Sequence, residues 1–270
     1  MLSLPDLFAA LEIANPWLFY AIGFCAVLTT AVSKSGFGGA VAIGIPLLLL
    51  VISPRLALAV TLPILLIIDV WVVFFSRNRI DYQLLVIMSI FGLLGHAIGW
   101  YFFDYISNEA LVAFIGGMSL LTVFLYFKRR FLPSSSTAAD LPPLQNRPLT
   151  LWLRGAFWCT LSGISSFISV SGGIPLQIFL LSCKVQRTVY IGSAGAFFFM
   201  LNLTKGPLFW GLGILSGYSF AVSVLLLPAI PIGVVLGRWV SNMMSDQQFY
   251  LFLHIILGLV GVELLYSVFG

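Results

Sequence analysis

Long apolar runs separated by short polar or turn-rich breaks make up most of the chain. Ten runs can be drawn, at about 17–32, 37–52, 56–75, 84–103, 109–127, 151–170, 172–183, 188–203, 208–236 and 248–268. A helix needs roughly 20 apolar residues to cross a bilayer, so most of the runs are long enough. The run 172–183 is too short, and 208–236 is over-long and interrupted by glycines. The pattern predicts an all-α polytopic membrane protein of roughly eight to ten spans, with short or broken helices at the Gly-rich loops.

Composition narrows the class of protein further. Only 8% of the 270 residues are charged and 60% are hydrophobic, whereas about a quarter of a soluble domain is charged. A soluble enzyme, a disordered protein and a nucleic-acid binder are therefore disfavoured. The net charge of +4 fits cytoplasmic loops rather than a nucleic-acid partner. The sequence shows no nucleophile–base pair and no cluster of metal-ligand residues, so we expect no catalytic residue, no metal and no cofactor.

A polar, Pro- and Ser-rich stretch divides the chain into two similar parts. It predicts a first transmembrane repeat with an N-terminal interfacial helix at 1–127, a cytoplasmic linker at 128–150 and a second repeat at 151–270. Placing the basic linker inside also puts eleven of the 13 basic residues inside, leaving only Arg55 and Lys205 outside. We expect a multi-pass protein of the bacterial inner membrane with both termini outside.

Short motifs recur in the same order in both parts. SKSGFGG at 33–39 corresponds to ISVSGG at 168–173, and GHAIGW at 95–100 corresponds to GVVLGR at 233–238. Each part has about five hydrophobic segments, an odd number, so the second repeat is predicted to be inverted relative to the first. Inverted-topology repeats in a small helical membrane protein are typical of secondary transporters.

Two Gly-rich breaks at corresponding positions are the strongest functional signal. Glycine permits an unwound backbone, and the helix that follows presents free N–H groups and a positive dipole end to an anion. The alternative is that these glycines only let helices pack closely, which is the interpretation we favour for Gly95/Gly99 and Gly233/Gly237. The residues of the breaks predicted to bind substrate are Ser35, Gly38, Gly39, Ser171, Gly172 and Gly173.

A few polar side chains near the apolar runs complete the predicted substrate site. Arg55 and Arg187 occupy matching positions, and a guanidinium can hold a sulfonate or carboxylate through two hydrogen bonds. Lys205 follows Asn202 by three residues, so a cation and an amide share one helix face. Gln177 follows the second break. For the basic residues, snorkelling towards the headgroups is the alternative.

Acidic residues within apolar runs are candidates for proton coupling. A carboxylate in hydrocarbon is costly and normally faces a partner or a cavity. Asp69 is favoured because it lies in the middle of its run, whereas Glu263 is close to the C-terminus. His96 is a second candidate for carrying a proton, although a lone histidine is more often a packing residue.

The chain resembles the TauE/SafE sulfite-exporter family of bacterial membrane transporters from about residue 20 to 268. The resemblance rests on GFGG at 36–39 followed by Pro46, on SPRLALAV at 53–60, on SGGIPLQIFLLS at 171–182, and on the NLTKGP segment that contains Asn202 and Lys205. It implies export or uptake of a small sulfur-containing anion, such as sulfite or an organosulfonate.

We therefore expect a secondary transporter that works by alternating access between two inverted halves, with proton coupling through Asp69. The alternatives are a passive anion channel of the same fold and a transporter of a small carboxylate. The expected partners are the small anion, the lipid bilayer and a coupling proton, without nucleic acid. The oligomeric state stays open, with a homodimer as one alternative.

Overall fold

The structure is a computed structural model that describes residues 8–11, 13, 15–37, 43–131, 148–243 and 246–270. This part of the chain is helical and contains no strand. Its helices are α1 Pro16–Phe37, α2 Gly44–Leu48, α3 Pro54–Ser76, α4 Tyr82–Phe103, α5 Asn108–Phe131, α6 Pro148–Ser169, α7 Gly173–Ser182, α8 Arg187–Gly211, α9 Gly217–Leu226, α10 Ala229–Met243 and α11 Asp246–Phe269, with a 3-10 turn at Arg77–Arg79. The predicted all-α class is confirmed.

Local sequence explains where several helices begin. Ser53 is extended and is followed by Pro54, which suits the first turn of α3. The Asp81 carboxylate accepts a hydrogen bond from the Leu84 backbone N–H at 3.1 Å and caps α4. Ser216 and Ser219 form a reciprocal capping box at the start of α9. These caps satisfy backbone N–H groups that have no partner within the helix.

Five helices of the described chain, α1, α3, α4, α5 and α11, are long and apolar enough to cross a membrane. Helices α9 and α10 qualify together as one further span, bent by 49°. Pro228 lies between them, and a proline has no N–H with which to continue a helix. Helices α6 and α8 have 22 and 25 residues and are similarly long, but they are less apolar.

Two apolar runs are not single continuous helices. Within 37–52 the described residues contain only the five-residue helix α2 and a turn, and the run 208–236 is divided among α8, α9 and α10. The short run 172–183 forms the ten-residue helix α7. A crossing at 37–52 stays a prediction, since apolar composition also suits a short helix buried among others. Helices α2 and α7 both begin with Gly-Ile-Pro-Leu.

Most of the linker and the first part of the predicted N-terminal interfacial helix lie outside the described residues, while residues 8–10 are helical. Gly38 and Gly39, and the side chain of Arg187, also lie outside the described part of the chain. Of the described residues before α1, Phe8 and Ile13 are buried, and the Phe8 ring contacts the Phe19 ring with centroids 6.1 Å apart.

Helix packing repeats between the two parts of the chain. Helix α4 packs on α6 as α10 packs on α1, and α6 contacts α7 as α1 contacts α2. Among the other large contacts, α3 packs on α8, α5 on α11 and α4 on α8. This pairing supports two structural repeats that exchange helices α1 and α6. Their residue boundaries and their inverted orientation stay predictions.

Glycines bring the exchanged helices into close contact. A Cβ atom at Gly95 would lie 2.2 Å from the carbonyl oxygen of Thr160, and one at Gly237 would lie 2.8 Å from that of Val32. Both distances are far below a van der Waals contact, so only glycine fits. Similar close approaches occur at Gly99 and Gly233. The packing interpretation of these four glycines is confirmed.

Candidate functional site

Five polar side chains from four helices form a connected group inside the helical bundle, which we call the polar cluster. The Asp69 carboxylate accepts hydrogen bonds from Lys34 Nζ and from Asn202 Nδ2, the latter at 2.6 Å. Lys205 Nζ donates to Asn202 Oδ1 and to Ser166 Oγ, each at 3.0 Å. Asp69 is 1% exposed and Lys205 is fully buried. The cluster therefore holds charges at a depth where they need partners.

The repeat explains why these side chains meet. Asp69 is the sixteenth residue of α3, and Asn202 is the sixteenth residue of α8. Lys34 and Ser166 are each the nineteenth residue of α1 and α6. Since α3 and α8 are equivalent helices that pack together, the carboxylate and the amide meet where the two repeats meet.

A small cavity adjoins the polar cluster; we call it the central cavity. Its volume is about 40 Å³, enough for about three water molecules or a small oxyanion. The Thr61 hydroxyl is buried without a hydrogen-bond partner among the described residues. The lining residues that matter here are Lys34, Thr61, Ser166, Gly173, Phe198 and Asn202. A buried hydroxyl without a partner is costly, so its hydrogen bond is available for a ligand.

The break between α6 and α7 is built tightly and under strain. The Ser162 hydroxyl donates to the Gly172 carbonyl oxygen at 2.6 Å, and a Cβ at Gly172 would lie 2.5 Å from the Ser162 carbonyl oxygen. Val170, which also lines the central cavity, has a φ of 57°. That conformation is unfavourable for a β-branched residue. Strain of this kind is concentrated at functional sites.

A second and larger cavity, here the outer cavity, is lined by residues of α3 and α8 among others. Its volume is about 290 Å³, and Ser35, Arg79 and Ile191 are among its lining residues. A third cavity, of about 10 Å³, is lined by Lys34 and Asp69. It shares Phe198 with the lining of the central cavity and Ile191 with that of the outer cavity, so the ion pair lies next to residues of both.

The structure brings together part of the predicted site. Asn202 and Gly173 line the central cavity, and Asp69 and Lys205 join Asn202 through the polar cluster. Gly172 supports the same break through Ser162. The Ser171 hydroxyl donates to the Ser169 carbonyl oxygen at 3.3 Å.

Other predicted residues lie elsewhere. Arg55 Nη2 donates to the Ile106 carbonyl oxygen at 3.4 Å, and its guanidinium lies over the Phe103 ring. Ser35 donates to the Ala31 carbonyl oxygen at 2.7 Å and lines the outer cavity rather than the central one. Gln177 is half-buried on α7 and does not line either cavity.

His96 is buried near the polar cluster without lining the central cavity. Its Nδ1 lies 3.1 Å from the hydroxyl of Thr204, the residue before Lys205. Its Nε2 has no hydrogen-bond partner among the described residues, and its ring contacts the Phe167 ring edge to face. A role for His96 in proton coupling stays a prediction.

The topology count places Lys205 on the outer side, and that side stays a prediction. Lys205 lies within α8 and is fully buried, because Asn202 and Ser166 provide oxygen acceptors inside the bundle. The positive-inside pattern counts basic residues and cannot detect one that is held in the protein interior.

Three residues of the site were missed by sequence reasoning. Lys34 is one of the eleven basic residues that the charge bias places inside, although it lies directly before a Gly-rich break. Ser166 is one of several serines in α6, and Thr61 is a single hydroxyl in an apolar run. Lys34 and Ser166 lie at the same distance from Pro16 and Pro148, the prolines that begin α1 and α6, and that spacing was the signal available in the sequence.

Long apolar helices and buried charges beside a cavity are consistent with an all-α polytopic membrane protein. The sequence profile of the family described as Sulfite exporter TauE/SafE matches residues 19–264. The chain therefore belongs to the TauE/SafE family, a family of sulfite exporter-type membrane transporters. No curated protein and no solved structure matches the chain.

Proposed function

We propose that this protein exports a small sulfur-containing anion, sulfite or an organosulfonate, and that the anion binds in the central cavity. The observation that carries the proposal is the unpartnered hydroxyl of Thr61, a residue that lines the same cavity as Lys34. A hydroxyl donor and a cation are what an oxyanion needs when it leaves water.

The start of α7 adds a third favourable element. Gly173 is its first residue and lines the central cavity. The N–H groups in the first turn of a helix have no acceptor within the helix, and the dipole favours an anion there. The central cavity thus offers a cation, a hydroxyl and a helix N-terminus to one small ligand.

The arrangement of the cavities supports a route for the anion. Arg79, predicted to be cytoplasmic, lines the outer cavity, so we propose that the anion enters there and passes the Lys34–Asp69 ion pair. Alternating access of two inverted halves then exposes the central cavity to the other side. In this proposal both termini lie outside, the linker is cytoplasmic and the membrane is the bacterial inner membrane.

We propose that Asp69 also carries the coupling proton. Protonation of its carboxyl group would weaken the ion pair with Lys34 while the anion passes, and the group is ionised again once the anion occupies the central cavity. A flux assay in liposomes separates this proposal from a passive channel. Uphill accumulation of sulfite driven by a pH gradient is expected, and downhill flux alone would exclude coupling.

The binding site is tested by replacing Thr61 with valine, which has the same shape without the hydroxyl. We expect sulfite flux in proteoliposomes to fall by about tenfold or more, the value of one hydrogen bond to a charged ligand. The matched control is Thr122→Val in α5, since the Thr122 hydroxyl donates to the Met118 carbonyl oxygen far along the chain from the cluster. Flux at the wild-type rate in Thr61→Val would refute the proposed site.

A further inference from the structure

The polar cluster contains two cations and one anion. Lys34 and Lys205 supply ammonium groups, and Asp69 supplies the carboxylate. Asn202 and Ser166, which complete the cluster, are neutral. With its ionisable side chains charged, the cluster has a net charge of one positive unit in a part of the protein where water is scarce.

The surplus positive charge can be assigned to one residue. Asp69 forms its ion pair with Lys34. The two oxygens to which Lys205 donates belong to a neutral amide and a neutral hydroxyl. Lys205 is fully buried, so water does not balance its charge. A buried charge that is not balanced is costly, and a ligand of opposite charge removes that cost.

The position of Lys205 links this surplus to the central cavity. Its two hydrogen-bond partners, Asn202 and Ser166, both line that cavity. Lys205 itself therefore lies one hydrogen bond behind the cavity wall. An ammonium group at that distance attracts an anion through space, because Coulomb interactions are weakly screened in the protein interior.

We infer that the central cavity is matched to an anion with a single negative charge, and that the surplus charge of Lys205 over the Lys34–Asp69 pair sets this selectivity. A monoanion makes the occupied site neutral, whereas a dianion leaves one unbalanced negative charge. The ligand class is therefore the singly charged sulfonate or hydrogen sulfite rather than a doubly charged oxyanion. This inference rests on the proposed function, because it assumes that the central cavity binds the transported anion.

Two small probes of nearly equal size test the inference. Methanesulfonate carries one negative charge and sulfate carries two at neutral pH. Binding of each to purified full-length protein is measured by thermal shift and by calorimetry at constant ionic strength. For the wild type we expect methanesulfonate to bind at least about tenfold more tightly than sulfate, since one unbalanced buried charge costs more than 1.4 kcal/mol.

Changing the charge of the cluster should change the preferred probe. Asp69→Asn leaves two cations and should reverse the preference, so that sulfate binds more tightly than methanesulfonate. Lys205→Met leaves a balanced pair and should weaken methanesulfonate binding by about tenfold or more. The controls Glu263→Gln and Lys128→Met remove one charge each from exposed positions and should keep the wild-type preference.

The outcomes separate the inference from the proposed function. If neither probe binds to the wild type, the proposed anion site is wrong as well. If both probes bind but Asp69→Asn keeps the wild-type preference, the charge inference alone is overturned. If Asp69→Asn does not fold, Lys205→Met decides, and unchanged methanesulfonate affinity in that variant overturns the inference.

Discussion

At the nineteenth position of α1 the first half carries Lys34, and at the nineteenth position of α6 the second half carries Ser166. At the sixteenth position of α3 and α8 the pair is Asp69 and Asn202. The first half thus contributes an ion pair, and the second half contributes a hydroxyl and an amide that hold Lys205. The positions along the helices match, but the side chains at those positions differ.

This difference shows how a repeat can form one asymmetric site. Because the two halves pack alike, side chains at matching helix positions lie close together. The charge of the site then depends on which residue each half has at that position. The ion pair of the first half lines a small cavity next to the central one, whereas the groups of the second half support the buried cation. Variants at matching positions can therefore separate the effect of helix packing from the effect of the buried charges.

The largest effect is expected from Lys34→Met. It leaves the Asp69 carboxylate buried without its cation, and breaking a buried ion pair typically costs about 3–5 kcal/mol. We expect a strongly lowered melting temperature in detergent and loss of sulfite flux. The double variant Lys34→Met/Asp69→Leu removes both charges and should recover most of the stability without recovering flux. A single variant as stable as the wild type would contradict the ion-pair assignment.

An intermediate effect is expected from Gly163→Ala, which tests the close packing of α4 and α6. A Cβ at Gly163 would lie 2.2 Å from the carbonyl oxygen of Gly92, so α4 and α6 must separate. Overpacking of this kind costs about 2–3 kcal/mol. Gly117→Ala in α5 is the control, since its Cβ would meet no atom within 4 Å. Equal melting temperatures for the two variants would show that close glycine packing does not hold the exchanged helices.

The smallest effect is expected from Ser166→Ala, at the position equivalent to Lys34. It removes one acceptor from Lys205 but leaves the Asn202 oxygen in place, so we expect a loss of about 1–2 kcal/mol. The readout is the same thermal denaturation, with Ser182→Ala in α7 as the control for loss of a serine hydroxyl. A destabilisation as large as that of Lys34→Met would mean that the neutral groups of the second half stabilise the protein as much as the ion pair of the first half does. That result would contradict the difference between the two halves.

Part of the site could be predicted from sequence because charge is conspicuous in an apolar chain. Asp69 lies in the middle of a long apolar run, and Lys205 lies one turn from Asn202, so each demanded a partner. The Ser-Gly-Gly break before α7 was also recognisable. The helical class followed from the length and composition of the runs alone.

The remaining residues could not be predicted, for separate physical reasons. Lys34 next to a loop has an adequate explanation in membrane topology, and only its contact with Asp69 shows otherwise. A threonine such as Thr61 usually bonds to its own helix backbone, and its lack of a partner is visible only in three dimensions. Arg55 and Arg187 occupy matching positions in the sequence, yet the Arg55 guanidinium contacts the Ile106 carbonyl oxygen and the Phe103 ring.

Locating a bound anion tests the central claim most directly. Selenite, the selenium analogue of sulfite, can be placed by its anomalous scattering in crystals of the full-length protein. We predict a single strong peak in the central cavity, within hydrogen-bonding distance of the Thr61 hydroxyl and beside Gly173 at the start of α7. A central cavity without selenium, with peaks only near Arg79 or on the protein surface, would contradict the account.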